Sequence, residues 1–437
     1  MSLHPANATT DPTRNGAPDA NAGTRATPRV IAATVAGNAL EFYDFIAYAF
    51  FAVYIGRAFF PATTTLNSLL LSVGVFGVGF VFRPLGGIVI GRYADRAGRR
   101  PAMLLTILLI TIGTIGLALT PSYASIGIAA PIIVVFCRLV QGLALGGEVG
   151  PAGAFLIEAA PPTQRGLYSS WQLASQGAAA GTAGVLGLTL SLVLTQAQLA
   201  DWGWRVPFVL CLLLIPVAIY LRRAMPETLD DVGTRAPYAG RVGKHSKLIA
   251  LAVLVIIGGT VSTYVGNYMT TFAIVTLKLP PSMAFAATVV GGMATLVFAL
   301  FGGWLSDRFG RRPVMLVPRV ALAGVTWPMF AWLAASPNAA TLYTVTAILS
   351  GLTAISGAAG LAMIPELLPR PVRATGLAIA YAIGVSIFGG STQFIVTYLI
   401  GATGDPTSPG WYVTATSVIT LFAMWALPES RGRPLET

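Results

Sequence analysis

Charge is the scarcest ingredient of this chain. Only 10% of its 437 residues are charged, against about 25% in soluble globular domains. So few charges cannot cover a body of this size in water, which excludes a soluble domain and leaves lipid as the medium for most of the exterior. Acids are scarcer than bases, 16 against 27, for a formal net charge of +11. In a soluble protein that balance would point to nucleic acid. Here it follows from where the bases fall, and no nucleic-acid partner is expected. Cysteine is limited to Cys137 and Cys211, both inside apolar runs, so no disulfide framework or CxxC metal site is indicated. Histidine is limited to His4 and His245, both in polar stretches. No metal site and no bound cofactor are expected. No Gly-x4-Gly-Lys-Ser/Thr loop occurs, which disfavours an ATP-driven pump. No nucleophile–base constellation is visible either, which argues against an enzyme.

Long apolar runs are what the chain has instead. Hydrophobic residues make up 55% of it, and a bilayer core takes roughly 20 apolar residues per helix. Runs of that kind fall at 30–54, 66–90, 102–120, 126–157, 167–194 and 205–222, then at 247–273, 283–305, 313–334, 340–364, 375–400 and 409–427. The expectation is an all-α membrane protein of twelve transmembrane helices. Residues 29–222 form one six-helix bundle and 247–428 a second. Residues 223–246 are a cytoplasmic linker, and 1–28 and 429–437 are cytoplasmic tails. The first tail is rich in Ala, Thr, Asn, Pro and Gly and reads as disordered, not as a secretory signal. With the N-terminus inside, 21 of the 27 basic residues are cytoplasmic; Arg57, Arg205 and Lys278 lie opposite, and Arg83, Arg138 and Arg319 lie within spans. That bias fixes the orientation by the positive-inside rule, with both termini cytoplasmic.

The halves repeat each other. Gly91-Arg92-Tyr93-Ala94-Asp95-Arg96-Ala97-Gly98-Arg99-Arg100 joins the second and third spans, and Gly303-Trp304-Leu305-Ser306-Asp307-Arg308-Phe309-Gly310-Arg311-Arg312 joins the eighth and ninth. Glu158 precedes Arg165 by seven residues, as Glu366 precedes Arg373. Met225-Pro226-Glu227-Thr228 is echoed by Leu427-Pro428-Glu429-Ser430. Two parallel six-helix repeats with a cavity between them are a transporter layout. Asp95 with Arg99 or Arg100, and Asp307 with Arg311 or Arg312, are expected to bridge to Glu158, Arg165, Glu366 and Arg373. Such pairs would latch the halves at one membrane face and break when the cavity opens there. Exposed pairs contribute only ~0–1 kcal/mol each, which suits a reversible latch.

The paired Gly-x-x-x-Asp-Arg-x-Gly-Arg-Arg loops resemble the signature of the major facilitator superfamily. Gly37-Asn38-Ala39-Leu40-Glu41-Phe42-Tyr43-Asp44-Phe45, Phe82-Arg83-Pro84-Leu85-Gly86, Arg138-Leu139-Val140-Gln141-Gly142 and Trp202-Gly203-Trp204-Arg205-Val206-Pro207-Phe208 resemble its metabolite:proton symporter branch. Thr326-Trp327-Pro328, Ile387-Phe388-Gly389-Gly390 and Gly404-Asp405-Pro406-Thr407-Ser408-Pro409-Gly410-Trp411 are similar to citrate–proton symporters. Tyr268-Met269-Thr270-Thr271-Phe272 departs from the pattern, since many relatives carry a Pro before an aromatic there. The resemblance implies a multi-pass protein of a bacterial inner membrane, and a monomer is expected because nothing in the sequence demands an oligomer. It would import citrate or a similar tricarboxylate with protons by alternating access. A dicarboxylate, shikimate or a betaine/proline-type zwitterion is the alternative cargo.

An ionisable group at bilayer depth costs at least ~2.5 kcal/mol, so each one calls for a role. Asn38, Glu41 and Asp44 recur every three residues on the first span, with Tyr48 a turn further. One helical face therefore carries them all, and it must look inward. Glu41 and then Asp44 are the expected proton carriers. Arg138 is expected to pair with one of them and to exchange it for a substrate carboxylate, its planar fork matching the two oxygens; the alternative is a permanent structural pair. Asn38, Tyr48, Gln141, Gln172, Gln176, Asn267 and Tyr268 are expected to line the substrate. Arg83 and Glu148 are read as a structural or gating pair, and Arg319 as snorkelling to the inner headgroups.

Overall fold

The computed structural model describes residues 28–97, 99–146, 156–157, 160–223 and 245–433. Among them there is no strand, and the long helices form twelve rods in chain order. The first six are α1 (Pro28–Phe50), α2 (Thr65–Val81, continued after Phe82 by Arg83–Ala97), α3 (Arg99–Leu119), α4 (Ala129–Gly146), α5 (Arg165–Val193) and α6 (Val206–Arg223). The second six begin with α7 (Ser246–Thr271, ending in a π-turn, Phe272–Thr276), α8 (Pro281–Phe309), α9 (Arg311–Ala335) and α10 (Ala339–Leu367). Last come α11 (Arg370–Ile383, a π-turn at Gly384–Gly389, then Gly390–Thr403) and α12 (Ser408–Ala426). Eight rods are individually long and apolar enough to cross a bilayer; α1 bends by 66° into Ala52–Phe59 and makes a ninth. The all-helical membrane architecture expected from the hydropathy runs is the one present. The expected N-terminal tail and linker fall almost wholly outside the described residues, and the expected C-terminal tail is described as far as residue 433.

The rods stop where local chemistry stops them. Thr64 accepts from the Asn67 amide before α2, Asn338 and Thr341 cap α10 reciprocally, and Gly404 takes φ +68° at the end of α11. A side-chain oxygen at the N-cap satisfies a backbone donor that the helix cannot. A left-handed turn suits a residue with no Cβ.

Small residues decide which rods touch. In hydrocarbon nothing drives helices together hydrophobically, so close backbone packing is the main source of contact energy. The two halves meet chiefly along α5 and α8. At Gly177 a Cβ would stand 2.6 Å from the Leu296 amide nitrogen and 2.7 Å from the Gly292 carbonyl oxygen. A second seam joins α2 to α11 where Gly77 faces Gly390. The central cavity lies between the seams, and α1 and α7 also touch beside it, Phe45 against Tyr264.

Candidate functional site

The cavity has a volume of about 230 Å³ and takes its walls from both halves: α1, α2 and α5 on one side, α7 to α12 on the other. Its lining is mostly apolar. Gln172 and Gln176 of α5 and Asn267 of α7 face it, as do Tyr264 and Tyr381. Among the described residues the only charged side chains on its wall are Arg83 of α2 and Arg319 of α9, one guanidinium from each half.

The expected acid–base network lies behind this wall, inside the first half. Asp44 is 3% exposed. Its Oδ1 accepts from the Thr114 hydroxyl of α3 at 2.8 Å, and its Oδ2 accepts from Nε2 of Gln141 on α4 at 2.8 Å. Oε1 of the same amide accepts from Arg138 Nη1 at 2.7 Å. The Asp44–Arg138 charge pair is thus bridged by Gln141, not made directly as the sequence suggested. The helical spacing explains it: Arg138 and Gln141 stack one turn apart on α4, so the shorter amide reaches the carboxylate first. The Arg138 guanidinium lies over the Tyr48 ring at 4.4 Å and near Phe45 at 5.3 Å and Phe76 at 5.5 Å, the geometry of a cation held on aromatic faces.

Phe45 is the partition between network and cavity. It lines the cavity while standing within cation–π range of both Arg138 and, at 4.8 Å, Arg83. Arg83 also lies 4.0 Å from the centre of the Phe80 ring and hydrogen-bonds the Tyr264 hydroxyl across the two halves.

Of the side chains expected at the substrate, the structure brings Gln172, Gln176 and Asn267 to the cavity. Asn38, Tyr48, Arg138, Gln141 and Tyr268 are not on its wall. Asn38 ties α1 to α5 by donating to the Gln172 carbonyl at 3.0 Å and the Ser175 hydroxyl at 2.7 Å. Tyr48 donates to the Ser72 carbonyl at 3.2 Å, and Tyr268 accepts from the Thr397 hydroxyl of α11 at 3.0 Å. One further expectation is corrected and one is left open. Arg83, read as a structural or gating partner of Glu148, lines the cavity, while Glu148 lies outside the described residues. Arg319, read as snorkelling to headgroups, is 0% exposed and faces the cavity too. The side chains of Glu41, Asp95, Arg99, Arg100, Glu148 and Glu158 lie outside the described residues. Thr114 went unnoticed because a span threonine ordinarily bonds its own helix; it does so here, to Ile110, while also serving Asp44.

The charged end of the second half is built from carboxylates acting as helix caps. Asp307 accepts from the backbone amides of Gly166 and Leu167, both at 2.9 Å, and so caps α5 of the other half. It also pairs with Arg311 at 2.6 Å. Arg311 reaches on to Glu366 with Nη2 at 3.0 Å and Nε at 3.2 Å, a bidentate pair. Among the described residues Asp307 therefore crosses to the other half as a carboxylate on a helix N-terminus, favoured by the helix dipole, and not through the Arg165 side chain. Arg165 instead donates to the Arg433 carbonyl at 3.2 Å. Arg312 turns away from Asp307 to the Trp425 carbonyl. Arg373 donates through Nε to the carbonyls of Pro365 and Leu368. Glu429 caps α9 through the amides of Arg311 and Arg312, each at 2.9 Å. Burial pushes its carboxyl up, but the four backbone donors of Arg431, Arg311, Arg312 and Ser430 outweigh that and hold it below the ordinary carboxylate range.

Comparison with known proteins agrees with this architecture. The family described as "Sugar (and other) transporter" matches residues 30–230 and 235–437. A citrate-proton symporter of Salmonella typhi is 36% identical over 405 residues, covering 91% of this chain and 93% of that protein. An alpha-ketoglutarate permease of Escherichia coli K12 is 34% identical over 394 residues, covering 88% of this chain and 89% of its own length. Among solved structures, a D-xylose-proton symporter superposes with a TM-score of 0.74 at 19% identity, covering 93% of this chain and 99% of that one, and shares the fold.

Proposed function

The chain belongs to the sugar (and other) transporter family of the major facilitator superfamily, and we propose that it is a proton-coupled symporter importing citrate or a similar tricarboxylate by alternating access. It works as a monomer in the inner membrane of a bacterium, with both termini cytoplasmic, as the distribution of arginines favours. The observation that carries the reading is the cavity wall, whose charged side chains among the described residues are both guanidiniums. Such a wall is matched by an anion and mismatched to a neutral sugar. The similarity to a protein named a citrate-proton symporter supports a tricarboxylate in particular. A dicarboxylate is the second reading, supported by the similarity to a protein named an alpha-ketoglutarate permease.

The proton travels on the acidic face of α1, at Glu41 and Asp44. At Asp44 the coupling has a physical route. Protonation removes the counter-charge of Arg138, which sits behind Phe45 at the cavity's edge. The site then carries one more net positive charge, and in a low dielectric that attracts an anion into the cavity. Reciprocity follows: a bound anion makes the proton harder to lose. Release of the anion on the inner side frees the proton to leave and restores the Asp44–Gln141–Arg138 bridge.

The test is uptake by proteoliposomes under an imposed pH gradient, acid outside, with citrate, tricarballylate, succinate and betaine compared. Gradient-dependent accumulation of citrate and tricarballylate, little of succinate and none of betaine is the expected result. Accumulation of betaine alone would overturn the anion reading, and accumulation of citrate without a gradient would overturn the coupling.

A further inference from the structure

Arg319 is the charged group of the cavity that the protein's own side chains leave half-satisfied. Its Nη1 donates to the Gly258 carbonyl at 3.1 Å and the Ser262 hydroxyl at 2.9 Å, both on α7. Its Nε and Nη2 make no hydrogen bond among the described residues. These two groups are not independent orphans. Nε–H and the neighbouring Nη2–H form one side of the planar guanidinium, and their spacing matches the two oxygens of a carboxylate. The opposite corner is pinned by α7, so the ring plane is held while the fork, itself buried, goes without an acceptor among the described residues. Gly259 stands beside it: a Cβ there would be 3.9 Å from Nη2, so no side chain from that position covers the fork. No described carboxylate pairs with Arg319, unlike Arg311 in the same helix. A buried polar group left this way costs the fold stability and persists where function uses it.

We propose that Arg319 is the carboxylate anchor of the second bundle, taking one carboxylate of the transported anion side-on through Nε and Nη2 while Nη1 remains on Gly258 and Ser262. The inference rests on the anion-transport reading and deepens it. A substrate with two or more carboxylates meets Arg83 on one bundle and Arg319 on the other, and so spans the cavity. A monocarboxylate or zwitterion satisfies one bundle only. Arg319 is therefore the residue that selects for polycarboxylates and lets the substrate draw the halves together.

Thermal unfolding and uptake by the purified full-length protein test this together, with citrate, succinate and betaine as probes. In Arg319→Gln the ligand-free protein is expected to unfold at the same or a higher temperature than wild type, because a buried uncompensated charge has been removed. The rise in unfolding temperature produced by citrate should vanish, and the KM for citrate should increase at least tenfold with a smaller change in kcat. Arg319→Lys, which keeps the charge and loses the fork, should also show a raised KM. A structural role predicts the reverse: a less stable or unfolded Arg319→Gln together with an unchanged citrate KM in Arg319→Lys, and that result would overturn the assignment. Should wild-type protein neither bind nor accumulate citrate or succinate, the anion reading itself fails. Should wild type accumulate them and both variants keep its KM, only the role of Arg319 falls.

Discussion

Arg138 on α4 and Arg319 on α9 are each fully buried, one in each half, and their surroundings could hardly differ more. Arg138 has an internal counter-charge, delivered through Gln141 from Asp44, and aromatic faces around it. Arg319 has two neutral acceptors and a buried fork with no acceptor among the described residues. A guanidinium with a built-in partner is a switch, since protonating that partner changes its state. One with no built-in partner is a receptor waiting for an anion. On the proposed reading the first half handles the proton and the second supplies the substrate's carboxylate anchor, and Phe45 stands where the two tasks meet.

The comparison breaks most visibly at Asp44. Asp44→Asn should abolish gradient-driven accumulation and, by leaving Arg138 buried without a counter-charge, lower stability by about 3 kcal/mol. The double variant Asp44→Asn/Arg138→Gln should recover much of that stability and none of the accumulation. Unfolding in detergent and uptake, measured on the same preparations, separate the two effects. Breaking the bridge and keeping both charges, as in Gln141→Leu, should weaken coupling roughly tenfold, the usual scale for one buried charge-assisted hydrogen bond of ~1.5 kcal/mol or more. The ratio of gradient-driven uptake to exchange reads that loss.

Smaller effects are expected at the charged end. Asp307→Asn keeps an acceptor for the α5 amides but loses the Arg311 ion pair; turnover should fall several-fold with citrate affinity nearly unchanged. Glu429→Gln should cost about 1 kcal/mol through the weakened cap on α9. The pH dependence has a definite sign there. A carboxyl held below its ordinary value stabilises the fold above that ordinary value, near 4.3, and loses the contribution as pH falls through its lower folded value. Wild type should therefore destabilise on acidification through that window more steeply than Glu429→Gln, and unfolding curves taken at successive pH values check it.

The sequence showed the twelve rods because length and hydropathy suffice to define a bilayer span. It also flagged Asp44, Arg83, Arg138 and Arg319 as charges needing an explanation. What it could not supply was the face each one presents. From the sequence Arg319 reads as snorkelling to headgroups, yet α9 begins at Arg311, which puts Arg319 two turns in, about 12 Å along the axis. That is deep for a side chain to snorkel out of, and the count itself was the available signal. Asn38, Tyr48 and Tyr268 were legible as polar groups in spans but not as internal fasteners, because their partners Ser175, Ser72 and Thr397 come from other helices. Sequence spacing describes one helix at a time, and a cavity wall is decided by nine.

The most direct test of the division of labour is the pH inside vesicles when citrate is added outside, followed with a trapped pH indicator. For wild type, citrate entry should acidify the lumen, and in Asp44→Asn citrate exchange should persist with no acidification. Citrate entering through wild-type protein with no change in lumenal pH, or acidification that survives in Asp44→Asn, would contradict the account.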